Sequence, residues 1–595
     1  MTTESYVQER WSLDDMFASI DSDELKEALA ALEKQVEYFE GHRQELTDDI
    51  SSDRFFEILE AYDGLVRLQS RLGGFASLRF SEDTQDQRVQ AFQATIQQRQ
   101  AAIENRIMFF KLWWKQADQQ VAERLLPAAG DYRYWLEAMR LQTPHTLTEP
   151  EERVVNLKDV NGVQGLVTIY AAITNRYTFE LEVEGEVRHL TRGEIMSYVR
   201  SSDPDLRARA YQSQLEVFGK DASILGQFYQ YIARDWYTEG VDMRGYQAPI
   251  SVRNLANDIP DEVVDMLLET CRGNATLFQR FFKLKARWLG AERIRRYDVY
   301  APVSKGLADY GFNDAVDIVL ESFAGFDPRM ADLARKVFEE RHLDSEVRPG
   351  KRSGAFCATV EPNLTPWVLT NYQGKADDAL TLAHELGHAV HSLLADEHKA
   401  VTQGASLPLA ETASTFGEIL VLNRMLRQDP SEAVRRDLLF RQLDDNYATI
   451  MRQAFFAMFE RAAHDAIHEG ASVDDLSGLY ADNLHDQFGD SLELTEDFNT
   501  EWVSIPHFYY SPFYVYAYAF GQLLVLSLYR QFEEEGDAFK PRYLEILRAG
   551  GSASPDAILT KAGIDMRDRS FWQGGFNVLD GILAQLEQMK VPART

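Results

Sequence analysis

Hydrophobic residues recur at three- and four-residue steps over most of the chain, which is the spacing of one face of an α-helix. The first clear stripe precedes Gly41, a residue suited to end a helix, and follows Asp21 and Glu24, which are spaced like a capping box. Residues 55–68 and 92–112 repeat the pattern. The first stripe consists of Leu25, Leu29, Leu32, Val36 and Phe39. The pattern predicts a helical N-terminal region.

Alternation with a period of two, typical of β-strands, is confined to a few short stretches. Residues 177–183 alternate in this way and return over 187–190, which predicts a β-hairpin. Residues 355–360 and 367–372 are rich in β-branched and aromatic side chains and predict two further strands. The chain is again helical after Asp377. We therefore predict a mainly α protein with a small β-sheet next to the helix that follows Asp377.

Composition and charge exclude several classes of partner. The 595 residues include 94 acidic and 62 basic ones, which gives a formal charge of -32. Nucleic acids and anionic membranes both require a basic surface, so we expect neither as a partner. Cys271 and Cys357 are too few and too far apart for a disulfide framework or a thiolate zinc site. The N-terminus lacks a basic stretch followed by an apolar one, so we expect a cytoplasmic protein.

One uncharged segment, residues 508–529, is long enough to be considered as a membrane span. It contains six tyrosines and Pro512, whereas tyrosine favours the membrane interface over the hydrocarbon centre. The segment is therefore predicted to form a buried aromatic helix.

The strongest chemical signal is an H-E-x-x-H motif at residues 384–388. His384 and His388 are four residues apart in a helical pattern, so both project from one face and can bind one Zn²⁺ ion per chain. Glu385 is turned by about 100° from His384, where it can take a proton from zinc-bound water. The rest of the helix is apolar, so burying this cluster would be costly without a function.

A catalytic zinc ion needs a third protein ligand and one open position. The metzincin pattern is excluded, because it requires glycine and histidine where this chain has His391 and Leu394. His391 lies on the same helical face as the motif and is one candidate ligand. The alternative is that it bonds to a ligand from behind or faces the substrate. Glu411, in a second predicted helix over residues 407–420, is the stronger candidate and matches the usual gluzincin arrangement. Glu418 shares its face and can accept a hydrogen bond from a ligating imidazole.

A second pair of histidines, His464 and His468, also has a four-residue spacing. Asp465 stands where the motif requires glutamate, and the surrounding sequence suggests an exposed helix. We interpret this pair as a surface feature.

Several motifs in a fixed order make the chain resemble oligoendopeptidase F, a branch of the thimet-oligopeptidase-like zinc peptidases. They are ERWSLDDMF, RPGKRSGAFC, PWVLTNYQGKADDALTLA, HELGHAVH, the ETAST segment and HFYYSPFYVYAYAFG, and together they span nearly the whole chain. The resemblance implies a two-lobed helical clam shell around a deep substrate channel. We place the lobes at residues 1–195, ending in the hairpin, and 196–595, which contain the zinc motif and the aromatic helix.

The resemblance also implies the activity: a zinc-dependent endopeptidase that hydrolyses internal bonds of short peptides. His384, His388 and Glu411 would bind zinc, and Glu385 would act as the general base. A zinc carboxypeptidase of related fold and an inactive peptide-binding scaffold are the alternatives. The sequence gives no indication of the oligomeric state.

The resemblance assigns His507 and tyrosines of the following segment to stabilise the tetrahedral intermediate. His507, Tyr510, Tyr514 and Tyr518 are three or four residues apart, so a continuous helix would align them as one stripe of hydrogen-bond donors. We favour Tyr518, then Tyr514, as the donor to the oxyanion. Tyr510 is the third candidate donor and is also predicted to contact substrate.

Two further substrate contacts are predicted near the motif. The strand that contains Trp367 directly precedes the zinc helix, and we predict that it is an edge strand to which a peptide can pair. Gly354 ends a glycine-rich loop that resembles a substrate-contacting loop of the family, and a solvated turn is the alternative.

Overall fold

The computed structural model describes residues 5–303, 309–428 and 431–591. It is 71% helical with only small sheets, which confirms the predicted mainly α class. The α-helices of the described ranges are α1 (Asp23–Gly41), α2 (Ser52–Glu82), α3 (Gln87–Gln116), α4 (Gln119–Leu125), α5 (Arg133–Leu141), α6 (Glu149–Asn161), α7 (Val163–Thr174), α8 (Arg192–Tyr198), α9 (Pro204–Lys220), α10 (Ala222–Tyr237), α11 (Pro249–Ala256), α12 (Asp261–Gly273), α13 (Ala275–Trp288), α14 (Phe312–Phe326), α15 (Pro328–Glu339), α16 (Ala376–Leu394), α17 (Leu407–Ala410), α18 (Thr412–Gln428), α19 (Glu432–Asn446), α20 (Arg452–His468), α21 (Val473–Phe488), α22 (His507–Tyr510), α23 (Tyr516–Glu535), α24 (Lys540–Arg548), α25 (Pro555–Lys561) and α26 (Arg569–Gln588).

The strands of the described ranges form three small sheets. They are β1 (Phe179–Val183), β2 (Glu186–Leu190), β3 (Ile294–Arg295), β4 (Leu343–Asp344), β5 (Phe356–Ala358), β6 (Trp367–Leu369) and β7 (Leu492–Glu493). The antiparallel pair β1–β2 confirms the predicted hairpin, and Glu184 and Gly185 at its turn both have positive φ. β3 pairs with β7 in parallel. The third sheet has the order β4-β6-β5 and lies beside α16, as predicted for the small sheet.

The chain divides into two compact units, and each consists of three separate stretches. Unit 1 comprises Met1–Thr143, Leu307–Pro430 and Gln531–Asp565, and unit 2 comprises Pro144–Gly306, Ser431–Arg530 and Met566–Thr595. These units do not coincide with the lobes at 1–195 and 196–595 that we predict from the sequence.

The core of unit 1 explains why its stretches belong together. Trp367 and Leu369 of β6 are buried in one hydrophobic cluster with side chains of the N-terminal segment and α1 to α5. The indole of Trp367 donates a hydrogen bond to the Ser12 carbonyl at 2.8 Å. Helical periodicity marks a buried face but does not show which later segment covers it.

Two local features correct or extend the sequence analysis. The N-cap of α1 is Ser22 and not Asp21, because the Ser22 hydroxyl accepts the hydrogen bond from the Leu25 amide at 3.2 Å. The aromatic segment forms α22 and α23, and no helix of the described residues is long and apolar enough to cross a membrane.

Candidate metal centre and catalytic residues

Helix α16 carries the H-E-x-x-H motif and begins at Ala376, one residue before Asp377. The Asp378 carboxylate accepts hydrogen bonds from the amides of Gln373 and Lys375, each at 2.9 Å. These bonds hold the chain at the N-terminus of the helix, where a negative charge is also favourable. His384 and His388 project from one face of the helix, as their spacing predicts.

Two glycines allow the backbones of α16 and α18 to pack closely. A Cβ atom on Gly387 would lie 2.6 Å from both the Ala413 carbonyl oxygen and the Ser414 Cα. A Cβ atom on Gly417 would lie 3.2 Å from the Ala383 carbonyl oxygen. This close approach brings the start of α18 to the middle of α16.

We expect Gly387→Ala to disturb the site, because the added methyl group meets backbone that cannot move cheaply. Overpacking of this kind costs about 1–3 kcal/mol. Zinc affinity, measured against a competing chelator, and the unfolding temperature should both fall. Gly64→Ala in α2, where nothing lies within 4 Å, is the matched control and should leave both unchanged or slightly improved. Normal zinc affinity in Gly387→Ala would show that the close approach is dispensable.

Three potential ligand atoms form a compact triangle at this contact. The Nε2 atoms of His384 and His388 are 3.2 Å apart and lie 3.4 Å and 3.5 Å from Oε2 of Glu411. Ligands bound to tetrahedral zinc at about 2.0–2.2 Å are about 3.3–3.6 Å from each other. The triangle therefore fits a zinc ion without rearrangement.

Other groups among the described residues meet a looser criterion for metal binding, with ligand atoms within 4.8 Å of one another. They are Asp15 with Glu340 and His342, and Asp159 with Asp235 and Glu239. Neither contains two imidazoles, which zinc favours, so the triangle is the stronger zinc candidate.

Hydrogen bonds behind the triangle orient its members. Nδ1 of His384 bonds to the Glu418 carboxylate, as predicted from the spacing of the two glutamates. The Ser414 hydroxyl donates to Oε2 of Glu411 at 2.6 Å. Burial lowers the pKa of His384, but the hydrogen bond and charge of Glu418, with the charge of Glu411, raise it to about 9. The site thus strongly favours a bound positive charge.

Glu411 lies between two helices and not within one, which corrects the predicted helix over residues 407–420. Helix α17 ends at Ala410, and α18 begins at Thr412. The Tyr543 hydroxyl donates to the Thr412 carbonyl at 3.0 Å and anchors the start of α18 independently. Glu411 therefore projects from the junction toward the two imidazoles.

His391 does not belong to the triangle. Its side chain is buried, and among the described residues it is not part of any group that brings ligand atoms within 4.8 Å. Burial, followed by the charge of His388, lowers the pKa of His391 to about 4, so the ring is neutral. The structure favours Glu411 over His391 as the third ligand.

Glu385 lies next to the triangle in a pocket of about 380 Å³, which His384, His388 and Cys357 also line. Its side chain is 6% exposed. Burial raises the pKa of Glu385 to about 7, the charges of Glu411 and Glu418 add to this, and His384 opposes it. A carboxylate with a pKa near neutrality is suited to act as a general base.

His507, Tyr514 and Tyr518 come together within unit 2, but not as one helical stripe. Helix α22 ends at Tyr510 and a turn precedes α23, so the predicted continuous helix is wrong. The Tyr518 hydroxyl lies 3.4 Å from Nε2 of His507, and the rings of Tyr514 and Tyr518 are 5.3 Å apart. Tyr510 packs instead near Tyr170, with ring centroids 6.1 Å apart, and is 52% exposed.

The predicted role of Trp367 as part of an edge strand is wrong. β6 is the central strand of its sheet, and the Trp367 side chain is fully buried and stacked on His342 at 3.9 Å. β5 is an edge strand of this sheet, as is β4, and Phe356 and Cys357 of β5 line the pocket that contains Glu385. Gly354 lies exposed in the loop before β5, where the Asn371 amide donates to its carbonyl at 2.8 Å.

Sequence reasoning missed other features of these sites. Ser414, which orients Glu411, has a three-residue spacing from it that could have signalled the contact. His464 is fully buried and not a surface residue as predicted, whereas His468 is exposed. Polar residues next to the pair in the sequence made the helix look exposed, although His464 lies on the buried, apolar face of α20.

Comparisons with family models, curated proteins and solved structures identify proteins similar to this chain. A family model described as Peptidase family M3 matches residues 197–578, and a model described as Oligopeptidase F matches residues 113–179. The Group B oligopeptidase PepB of Streptococcus agalactiae is 29% identical over 98% of each chain. A solved protein from Chlamydophila abortus aligns with a TM-score of 0.88 and 24% identity over 97% of each chain. Oligoendopeptidase-F from Enterococcus faecium aligns with a TM-score of 0.70 and 22% identity, over 97% of this chain and 99% of its own.

Proposed function

The chain belongs to peptidase family M3 and is a metallopeptidase, and on that premise we propose that it is a zinc-dependent endopeptidase acting on short peptides. The triangle of two imidazole nitrogens and one carboxylate oxygen carries this proposal. His384, His388 and Glu411 would hold the ion, and the open side of the site would admit the scissile bond. When bound, zinc would polarise the scissile carbonyl and make the attacking water more acidic.

Glu385 acts as the general base in this proposal. Its carboxylate accepts a proton from the attacking water and passes it to the leaving amine. Burial of the side chain and a pKa near neutrality support this role. Cys357, in the same pocket, stays a thiol because burial raises its pKa.

His507, Tyr518 and Tyr514 are assigned as donors that stabilise the oxyanion of the tetrahedral intermediate. Burial lowers the pKa of His507 and raises that of Tyr518, so at neutral pH the ring is uncharged and the phenol keeps its proton. Two or three convergent donors are what such an oxyanion requires.

The edge strand β5 is the proposed platform for the peptide backbone. A peptide that pairs with β5 gains main-chain hydrogen bonds that do not depend on its sequence. Gly354 in the preceding loop leaves room for such a peptide, and exposed Tyr510 stays a predicted substrate contact.

Peptides of graded length with both termini blocked test this activity. We expect cleavage at internal bonds, identified by fragment masses, and a loss of cleavage for long or folded substrates. A chelating phenanthroline should abolish the reaction, its non-chelating isomer should not, and added zinc should restore activity.

The same experiment separates the two alternatives. A carboxypeptidase would leave blocked peptides intact and shorten only those with a free C-terminus. A scaffold would cut neither kind of peptide and would contain no zinc after purification. Either result would contradict the proposed function.

A further inference from the structure

A strained turn connects α22 with α23 and directly precedes the tyrosines assigned to the oxyanion. The Tyr514 amide donates to the Ser511 carbonyl at 3.1 Å, with Pro512 and Phe513 at the two central positions. Phe513 has a φ of 58°. The third position of a turn with positive φ is normally glycine, because a bulky L-residue is strained there. The surrounding structure must therefore hold this turn in place.

Two buried or half-buried side chains of unit 2 bind the turn. The Glu460 carboxyl group on α20 accepts a hydrogen bond from the Phe513 amide at 2.9 Å. Arg253 on α11 donates to the Pro512 carbonyl at 3.2 Å and to the Ser511 hydroxyl at 3.1 Å. The turn is thus held through the backbone of Pro512 and Phe513 and through the hydroxyl of Ser511.

Glu460 is unusual because it is fully buried and only half satisfied. Its Oε2 has no hydrogen-bond partner among the described residues, although an unsatisfied buried polar atom is costly. Burial raises the pKa of Glu460 to about 8, while the Phe513 amide and the charge of Arg253 lower it. The carboxyl group is therefore mostly protonated at pH 7. Uncharged Tyr229 also lies near Glu460, and neutral His464 packs against the Phe513 ring with centroids 4.6 Å apart.

We propose that Glu460 is a positioning residue that holds the Phe513 turn and thereby fixes the hydroxyl groups of Tyr514 and Tyr518. Tyr514 is the last residue of the turn, and Tyr518, four residues later in α23, has its ring 5.3 Å from that of Tyr514. A shift of the turn would displace both hydroxyls. This inference rests on the proposed function, in which the two tyrosines stabilise the oxyanion.

Two variants of similar side-chain size separate the effect of the hydrogen bond to the turn from the effect of side-chain volume. Glu460→Gln keeps a neutral oxygen that accepts from the Phe513 amide, and its kcat should stay within about threefold of wild type. Glu460→Met lacks the acceptor, and its kcat should fall about 30-fold with KM within about threefold, because oxyanion donors act on the transition state. Zinc content should not change. If Glu460→Met does not fold, Glu460→Asp replaces it in this comparison, because the shorter side chain moves the acceptor oxygen away from the Phe513 amide.

A double-mutant cycle tests whether Glu460 affects kcat through the hydroxyl groups of Tyr514 and Tyr518. In a Tyr514→Phe, Tyr518→Phe background, Glu460→Met should reduce kcat by less than about threefold, because no hydroxyl remains to be placed. Gln230→Leu removes another hydrogen bond from a side chain to the backbone in unit 2, a partly buried one. It controls for general destabilisation and should leave kcat near wild type.

Three results would overturn the inference. Wild-type kcat in Glu460→Met, or an equally large loss in the double-phenylalanine background, would refute Glu460 while leaving the tyrosine assignment intact. Full activity of the double-phenylalanine protein itself would refute that assignment, and this inference with it.

Discussion

Glu385→Gln is expected to lower kcat for peptide hydrolysis by roughly 10³-fold or more while the protein still binds one zinc ion. Glutamine has the size of glutamate but cannot accept the proton of the attacking water. Glu385 is outside the ligand triangle, so its replacement leaves all three ligand atoms in place. Initial rates with a quenched fluorogenic peptide and metal analysis of the same sample measure both quantities.

Glu397→Gln is the matched control, because Glu397 is exposed just beyond α16. It should have the kcat and the zinc content of the wild type. Substantial turnover by Glu385→Gln, at a rate that the control also shows, would rule out Glu385 as the base.

Glu411→Gln is expected to lower zinc affinity by more than about 100-fold and to abolish activity in chelator-buffered solution. Even the loss of a hydrogen-bond partner behind a metal ligand typically costs 10- to 100-fold, so the loss of a ligand charge should cost more. The change also leaves the Ser414 hydroxyl facing an amide, since Ser414 bonds to Oε2. Competition against a zinc chelator measures the affinity.

His391→Gln provides the matched comparison, because sequence spacing alone leaves both residues as third-ligand candidates. His391 lies outside the ligand triangle, so this variant should bind zinc nearly as tightly as the wild type. The opposite ranking, with zinc lost in His391→Gln and kept in Glu411→Gln, would show that the wrong ligand has been assigned.

Local rules were sufficient to find the centre of the site. The helical period alone places His384 and His388 on one face, and seven-residue spacing relates Glu411 to Glu418. In the structure, Nε2 of His384 lies 3.2 Å from Nε2 of His388 and 3.4 Å from Oε2 of Glu411, and Nδ1 of His384 bonds to the Glu418 carboxylate. Gly387 was within the motif, but its importance depends on a second helix that approaches it.

Contacts between segments that are distant in sequence could not be predicted from these local patterns. Trp367 lies in a central strand because the two-residue strand β4 pairs with its far side, and so short a strand has no sequence signature. The tyrosine stripe breaks at Phe513, whose left-handed backbone no hydrophobic pattern reveals. The same applies to Glu460, which looks like any surface glutamate until its burial is known.

Zinc-edge anomalous diffraction from crystals of the purified protein tests whether His384, His388 and Glu411 hold the ion. We expect one strong peak per chain, about 2.0–2.2 Å from Nε2 of His384, Nε2 of His388 and a carboxylate oxygen of Glu411. A peak bound to His391 in place of Glu411, or no peak at the two imidazoles in protein that cleaves peptides, would contradict this ligand assignment.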